Sequence, residues 1–195
     1  VVGGKINKTW EHYKFISFDE SIKPNWITRK KNIITENAKY DNIVYMHDYI
    51  VLNPGWFKGF ETFGDKFNIC MTRIENQNGS RYRDWTLWPD DAKKFGIMDL
   101  NVALPYDVTN LSKYMYFSGA YWIAKKEVMQ RFPLDESLSW GESEDVLWSK
   151  QVREHYTFSM NVHSSVKLQK LKDPVVHPIN PELLIKLQNE IIQPK

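Results

Sequence analysis

The chain has 195 residues, 42% hydrophobic and 14% aromatic, a length that fits one domain with a substantial core and is cramped for two. Its 26 basic and 24 acidic residues leave a formal net charge of +2, which excludes the footprint of a nucleic-acid binder and any like-charged tail. Cys70 is the single cysteine, so no intrachain disulfide can form, and no apolar run reaches the ~18–20 residues of a membrane span; a reducing cytosol is the expected compartment.

Val1-Val2-Gly3-Gly4 reads as the tail of a buried strand, with something upstream of residue 1 removed or unseen. Alternation predicts a strand over 13–18, and Asp19-Glu20-Ser21 its exit loop. Pro24-Asn25 opens a helix whose apolar stripe is Trp26, Ile27, Ile33, Ile34 and Ala38. Ile43-Val44-Tyr45-Met46 is a short buried strand, and Asn53-Pro54-Gly55 starts a helix carrying Trp56, Phe57, Phe60 and Phe63. A strand follows over 67–72, then an irregular segment over 75–107, of the kind that often carries function. Residues 114–124 are strand-like, 125–132 a short helix, and Trp140-Gly141-Glu142-Ser143-Glu144-Asp145 leads into a helix ending at Val152. Two short strands, 158–162 and 166–171, precede a final amphipathic helix over 181–192, with Leu183, Leu184, Leu187 and Ile191 on one face. Alternating strands and helices predict an α/β fold with a mixed, mostly parallel sheet flanked by helices.

Five groups of residues carry chemistry. Asp48 follows a buried strand, where a carboxylate reaches the ligand edge of an open sheet and a hard divalent cation can bridge it to a diphosphate. The basic run Arg29-Lys30-Lys31 is suited to phosphate. Glu142, Glu144 and Asp145 crowd the start of a helix; the dipole alone favours acids there, but a sugar hydroxyl also needs a carboxylate base to become a nucleophile at neutral pH. In the irregular segment, the stretch from Arg81 to Trp88, with Arg83, Asp84 and Trp85, matches a sugar's hydroxyls and its apolar C–H face; Trp85 and Trp88 could instead pin the loop to the core. Of the five histidines, His177 lies farthest past the acidic helix, with His163 as its substitute.

The order of these features resembles the family-2-like glycosyltransferases of the GT-A fold. That family has an Arg-Asn pair, a helix with Ala-Lys or Ala-Gly, an apolar strand and an Asp-rich triplet. Lys31-Asn32, Ala38-Lys39, Ile43 to Met46 and His47-Asp48-Tyr49 stand in those places. Ser118-Gly119-Ala120, Leu134-Asp135-Glu136, Gly141 and Glu144-Asp145 are similar in order and spacing to its acceptor half. The triplet departs from the pattern, since Asp48 alone keeps a carboxylate.

The resemblance implies a GT-A (nucleotide-diphospho-sugar transferase) fold whose first strand and helix lie upstream of residue 1. Residues 1–72 would be the nucleotide-sugar half and 73–195 the acceptor half of a single domain. It implies a hexosyltransferase-like enzyme that moves a sugar from a UDP or GDP donor to a glycan or glycoconjugate hydroxyl, inverting at the anomeric carbon. Asp145 is the first choice as base, then Glu144, then Glu142. Arg29, Lys31, Asn32, Asp48, Gly119 and Ala120 would meet the donor, the Gly-Ala step letting backbone approach the sugar. Arg83, Asp84, Trp85 and Trp140 would meet the acceptor. Asp48 and His177 would hold a divalent cation, Mn or Mg. Two rival classes are a sugar-phosphate nucleotidyltransferase and a non-catalytic carbohydrate-binding domain of the same fold.

Overall fold

A computed structural model describes residues 1–4, 11–98, 102–172 and 176–192. Asp173, Pro174 and Val175, in the stretch leading to His177, lie outside the described residues. In chain order the elements are β1 (Val2–Gly3), β2 (Ile16–Ser17), α1 (Ile27–Asn37), β3 (Asn42–Met46), β4 (Ile50–Leu52), α2 (Trp56–Phe63) and β5 (Ile69–Glu75). Then come β6 (Thr86–Leu87), α3 (Pro89–Ala92), β7 (Val102–Ala103), β8 (Met115–Tyr116), β9 (Tyr121–Lys125) and α4 (Lys126–Arg131). The last are α5 (Glu144–Val152), β10 (Phe158–Leu168), β11 (His177–Pro178) and α6 (Pro181–Ile192). Among the described residues, no helix is long and apolar enough to cross a membrane.

The central sheet has the order β3-β9-β5-β10-β4, with β1 and β2 as a separate parallel pair and β11-β7-β6-β8 as a second small sheet. The expectation of a mostly parallel sheet is overturned: β5–β10 is parallel, whereas β3–β9, β5–β9 and β10–β4 are antiparallel. The cause lies in the connections. After β5 the chain makes its long excursion at the end of the sheet it has just reached, so β9 re-enters from there and runs back. Likewise β3 turns directly into β4 through His47-Asp48-Tyr49.

The two short strands expected near the C-terminus are one, β10, whose pairing with β5 jumps from Asn161↔Thr72 to Ser165↔Arg73. Val162, His163 and Ser164 bulge out between them. The bulge is held by the Asn161 side chain, which donates to Ser164 Oγ at 3.0 Å and accepts from the His163 N–H at 2.9 Å. Ser164 Oγ in turn donates to the Trp56 carbonyl at 2.6 Å. Helix α2 crosses this bulge at Gly59, where a Cβ would run into Ser164 Oγ and lie 2.5 Å from the His163 carbonyl oxygen.

Helix α1 only half-buries the apolar stripe read from its sequence, with Ile34 and Ala38 packed against the core. Its buried residues are Thr28, Lys31, Asn32 and Thr35, an i, i+3, i+4, i+7 face that is polar throughout. Each has a partner. Thr28 Oγ1 donates to the Leu138 carbonyl (2.7 Å), and Lys31 Nζ donates to the Gly119 carbonyl (2.8 Å). Asn32 donates to the Leu134 carbonyl (2.9 Å) and accepts from its N–H (3.0 Å), and Thr35 Oγ1 meets the Tyr45 hydroxyl (2.7 Å). Apolar burial is concentrated instead on the strands, with Tyr45 stacked on Trp122 and Trp122 against Trp148. Helix α6 packs as its pattern predicts, with Leu187 buried and Leu183, Leu184 and Ile191 against the core.

The segment after β5 is organised by Asp84. Its side chain, 0% exposed, accepts hydrogen bonds from the Ile74 and Trp85 N–H groups (3.1 and 2.6 Å), from Arg81 Nε (2.6 Å) and from the Tyr106 hydroxyl (2.8 Å). Burial pushes its carboxyl pKa up, and the Arg81 guanidinium opposes that. Trp85 is fully buried, its indole N–H donating to the Val108 carbonyl at 2.8 Å. Both residues are therefore internal supports, and the expectation that they contact an acceptor is overturned: all their polar atoms face the protein's own backbone and side chains. Asp84→Ala would strand four donors in the interior. It is expected to lower stability by about 3–5 kcal/mol, read as a fall in the urea midpoint.

Candidate functional site

The sheet's topology brings five strand ends to one edge. Strands β3, β5 and β10 end there and β4 and β9 begin there, as the register pairs Met46↔Tyr121, Lys167↔Glu75 and Leu168↔Ile50 require. Two adjoining cavities open at this edge, one of about 240 Å³ and one of about 690 Å³, and both are lined by His47, Tyr49, Trp140 and Lys172. Three buried nitrogens on the wall of the smaller cavity have no protein partner: His47 Nε2, Arg83 Nε and Trp88 Nε1. Buried polar groups in that state are costly unless something else satisfies them, so the wall is chemically fitted to a polar ligand.

One side of this cavity is acidic. The turn into α5 passes through Gly141 (φ 87°) and Ser143 (φ 63°), and a left-handed serine is unusual enough to mark a constrained entry. It presents Glu144 and Asp145 to the loop before β9. Asp145 Oδ2 accepts from the Gly119 N–H at 2.7 Å and Oδ1 from the Val146 N–H at 2.9 Å. A Cβ on Gly119 would lie 3.1 Å from Asp145 Oδ2 and 3.1 Å from Glu144 Oε1. The glycine thus lets the two carboxylates close on the backbone. Glu144 is only 6% exposed, and burial and then neighbouring Asp145 raise its carboxyl pKa while Lys31 opposes this. Lys31 lies beneath, with Nζ 4.3 Å from the Trp122 ring centre; burial lowers its pKa to about 8 against the pull of Glu144 and Asp145.

The other side is basic. Lys172 Nζ donates to the Tyr49 hydroxyl at 2.6 Å and lies 4.6 Å from that ring's centre, and Lys170 Nζ lies 3.9 Å from it. Burial lowers the Lys172 pKa, with Lys170 and Arg83 adding to the effect. Burial, then Lys31, Lys172 and Lys170, hold the His47 imidazole down at about 3, so it is neutral at ordinary pH.

Of the residues expected at the site, Asp145, Glu144, Gly119, Ala120, Arg83, Trp140 and Asp48 line one or other cavity. The N-cap position of α5 is Ser143, and Asp145, in the first turn, divides its oxygens between the helix's Val146 N–H and the Gly119 N–H of a distant loop. Others lie elsewhere. Glu142 lines neither cavity and accepts from the Ser139 N–H at 2.5 Å. Arg29 is paired with Glu36 and Glu136, and Asn32 is spent on Leu134 and Glu136, so neither reaches a donor. Lys31 stands behind Gly119 and lines neither cavity.

The expected metal pair does not meet either. His177 is exposed, pairs with Val102 in the second sheet and lines neither cavity, while Asp48 lines the larger one. His163, its substitute, is exposed in the β10 bulge. Among the described residues, no three His, Cys, Asp or Glu side chains are grouped to hold a metal ion. Hard divalent cations need several oxygen donors, and beside Asp48 the edge offers two ammonium groups instead. The donor set does not fit such an ion.

Lys170, Lys172, Tyr49, Tyr82 and Trp88 were not picked out as site residues from the sequence. One signal was present: the alternating Lys167-Leu168-Gln169-Lys170-Leu171-Lys172 runs off the end of a strand, at the edge where ligands bind.

No protein-family model matches the sequence, and no curated protein does. Among solved structures, the chain is similar to the crystal structure of GalNAc-T7 with UDP, GalNAc and Mn2+, at 12% sequence identity and a TM-score of 0.49. The likeness covers 92% of this chain and 37% of that one, so this chain spans little more than a third of the other's length. At that identity and score it carries no argument about activity.

The buried Lys31 yields a pH test. Its folded pKa of about 8 lies below the ordinary 10.5, so between those values the unfolded chain binds more protons and stability rises with pH. Relative to Lys31→Met, the wild type should gain on the order of 1–3 kcal/mol between pH 8 and 10, read from urea midpoints of both chains at each pH.

Proposed function

We propose that this chain transfers a sugar from a nucleoside-diphosphate donor, of UDP or GDP type, to a hydroxyl of a glycan or glycoconjugate. One observation carries the reading. A single cleft holds an anchored carboxylate on one wall and cationic side chains, Arg83 and Lys172, on another. The reaction needs both: a base for the acceptor hydroxyl and positive charge for the departing diphosphate. The order of sequence motifs supports the same class.

Asp145 is the base in this proposal. Its two oxygens are oriented by the Gly119 and Val146 N–H groups, and each keeps a second lone pair for an incoming hydroxyl. The acceptor oxygen bonds to the anomeric carbon as its proton passes to Asp145. The bond from that carbon to the diphosphate oxygen breaks, and the electron pair leaves with the diphosphate. Attack opposite the leaving group inverts the anomeric centre. Glu144, buried beside Lys31, positions the Asp145–Gly119 contact, and exposed Trp140 offers a ring face to a sugar.

Asp145→Asn keeps the shape and removes the base. Transfer is expected to fall by roughly two to four orders of magnitude with nucleotide affinity unchanged. Turnover assays with nucleotide sugars and calorimetry on both chains check this. Retained turnover would move the base to Glu144. Binding of free sugar with no nucleotide affinity would identify a carbohydrate-binding domain instead.

A further inference from the structure

Among the described residues, no ion pair neutralises the basic wall of the cleft. Lys170 and Lys172 converge on the Tyr49 ring, with Nζ atoms 3.9 and 4.6 Å from its centre. Two ammonium groups over one ring repel each other, and the ring's negative face offsets only part of that. Among the described residues, neither lysine has a carboxylate within ion-pair distance, and neither does Arg83. Lys30, which lines the larger cavity with them, is by contrast neutralised by Glu20. Arg83 Nε is buried on the smaller cavity's wall with no partner. Lys172 lines both cavities, so these cations flank one continuous opening.

A diphosphate must be met by positive charge. A bound divalent cation is one solution, and among the described residues no three His, Cys, Asp or Glu side chains are grouped to hold one. Fixed ammonium and guanidinium groups are another, and they act without a metal by donating charged hydrogen bonds to phosphate oxygens. We infer that Lys170 and Lys172, gathered on Tyr49 and joined by Arg83, form a diphosphate-binding site that works without a divalent cation. The site itself follows from the geometry of the cations, and only the identity of its anion as a donor's diphosphate rests on the glycosyl-transfer reading. Tyr49 has a defined part in it. Its hydroxyl accepts from Lys172 and its ring carries Lys170, so it gathers the two ammonium groups at the lining of the larger cavity.

Inorganic pyrophosphate is the probe, titrated calorimetrically into the protein in EDTA and again with Mn2+. Binding in EDTA is expected, and the Lys170→Gln/Lys172→Gln double variant should weaken it by about tenfold or more, one lost charged contact being worth at least that. Lys167→Gln, on the same strand but lining neither cavity, should leave affinity unchanged. Both variants should melt close to the wild type, because Lys167 and Lys170 are exposed and half-buried Lys172 loses a single side-chain hydrogen bond, to Tyr49. Binding that requires Mn2+ overturns the inference, as does binding in EDTA that ignores the double variant, or no binding in either buffer. The two readings fail separately. Pyrophosphate held by the lysines with no affinity for nucleotide sugars would remove glycosyl transfer and leave the anion site. Mn2+-dependent transfer would do the reverse.

Discussion

The Gly119 peptide unit is gripped from both ends. Its N–H is donated to Asp145 on α5, and its carbonyl accepts from the buried ammonium of Lys31 on α1. Three elements distant in the chain are tied through one backbone unit, and the tie works only because residue 119 has no side chain to fend off the carboxylates. Lys31 is charged and out of water, a costly state that its partners must offset: the Gly119 carbonyl, the Trp122 ring, and the nearby Glu144 and Asp145. The network is whole or it is a liability, which is why the buried face of α1 is polar along its length and satisfied at each position.

That clasp also sets the polarity of the cleft. The acidic pair is drawn inward against Gly119 and Lys31, while Lys172 and Arg83 line the same cavity and Lys170 joins Lys172 on the Tyr49 ring. A ligand with an anion at one end and a hydroxyl at the other is complementary to this arrangement. Opposite charges lining one cavity would collapse into ion pairs if they could touch. The rigid sheet edge and the turn through Ser143 hold them apart, which is the kind of preorganisation a transfer site requires.

The antiparallel strands matter to the site as much as the parallel pair. In an all-parallel sheet each connection would have to cross to the far end and return. Here β3 turns straight into β4, and the excursion after β5 stays at one end, so the loops around His47, Gly119 and Lys170 crowd together. Within the described part of that excursion, Asp84 ties Arg81, Trp85 and Tyr106 to the Ile74 N–H of β5.

Much of the element order was legible in the chain itself. The strand over Ile43 to Met46 was legible although only Ile43 and Tyr45 are buried and Met46 is exposed, and the stripe of Leu183, Leu184, Leu187 and Ile191 packs as its periodicity requires. Glu144 and Asp145 could be singled out because acids, a glycine turn and a helix start sit together in sequence. The roles of Asp84, Asn32, Arg29 and His177 could not be read that way. A buried carboxylate that supports a loop and an exposed one that takes a proton are the same residue type, and they differ only in what the fold brings against their oxygens. The same holds for the cations. Lys170 and Lys172 look like the polar half of a strand's alternation until the sheet sets Tyr49 beside them. Sequence determined which segments would bury apolar surface; only tertiary structure decided which charges would be left without a partner, because pairing is a matter of distance across the fold and not of spacing along the chain.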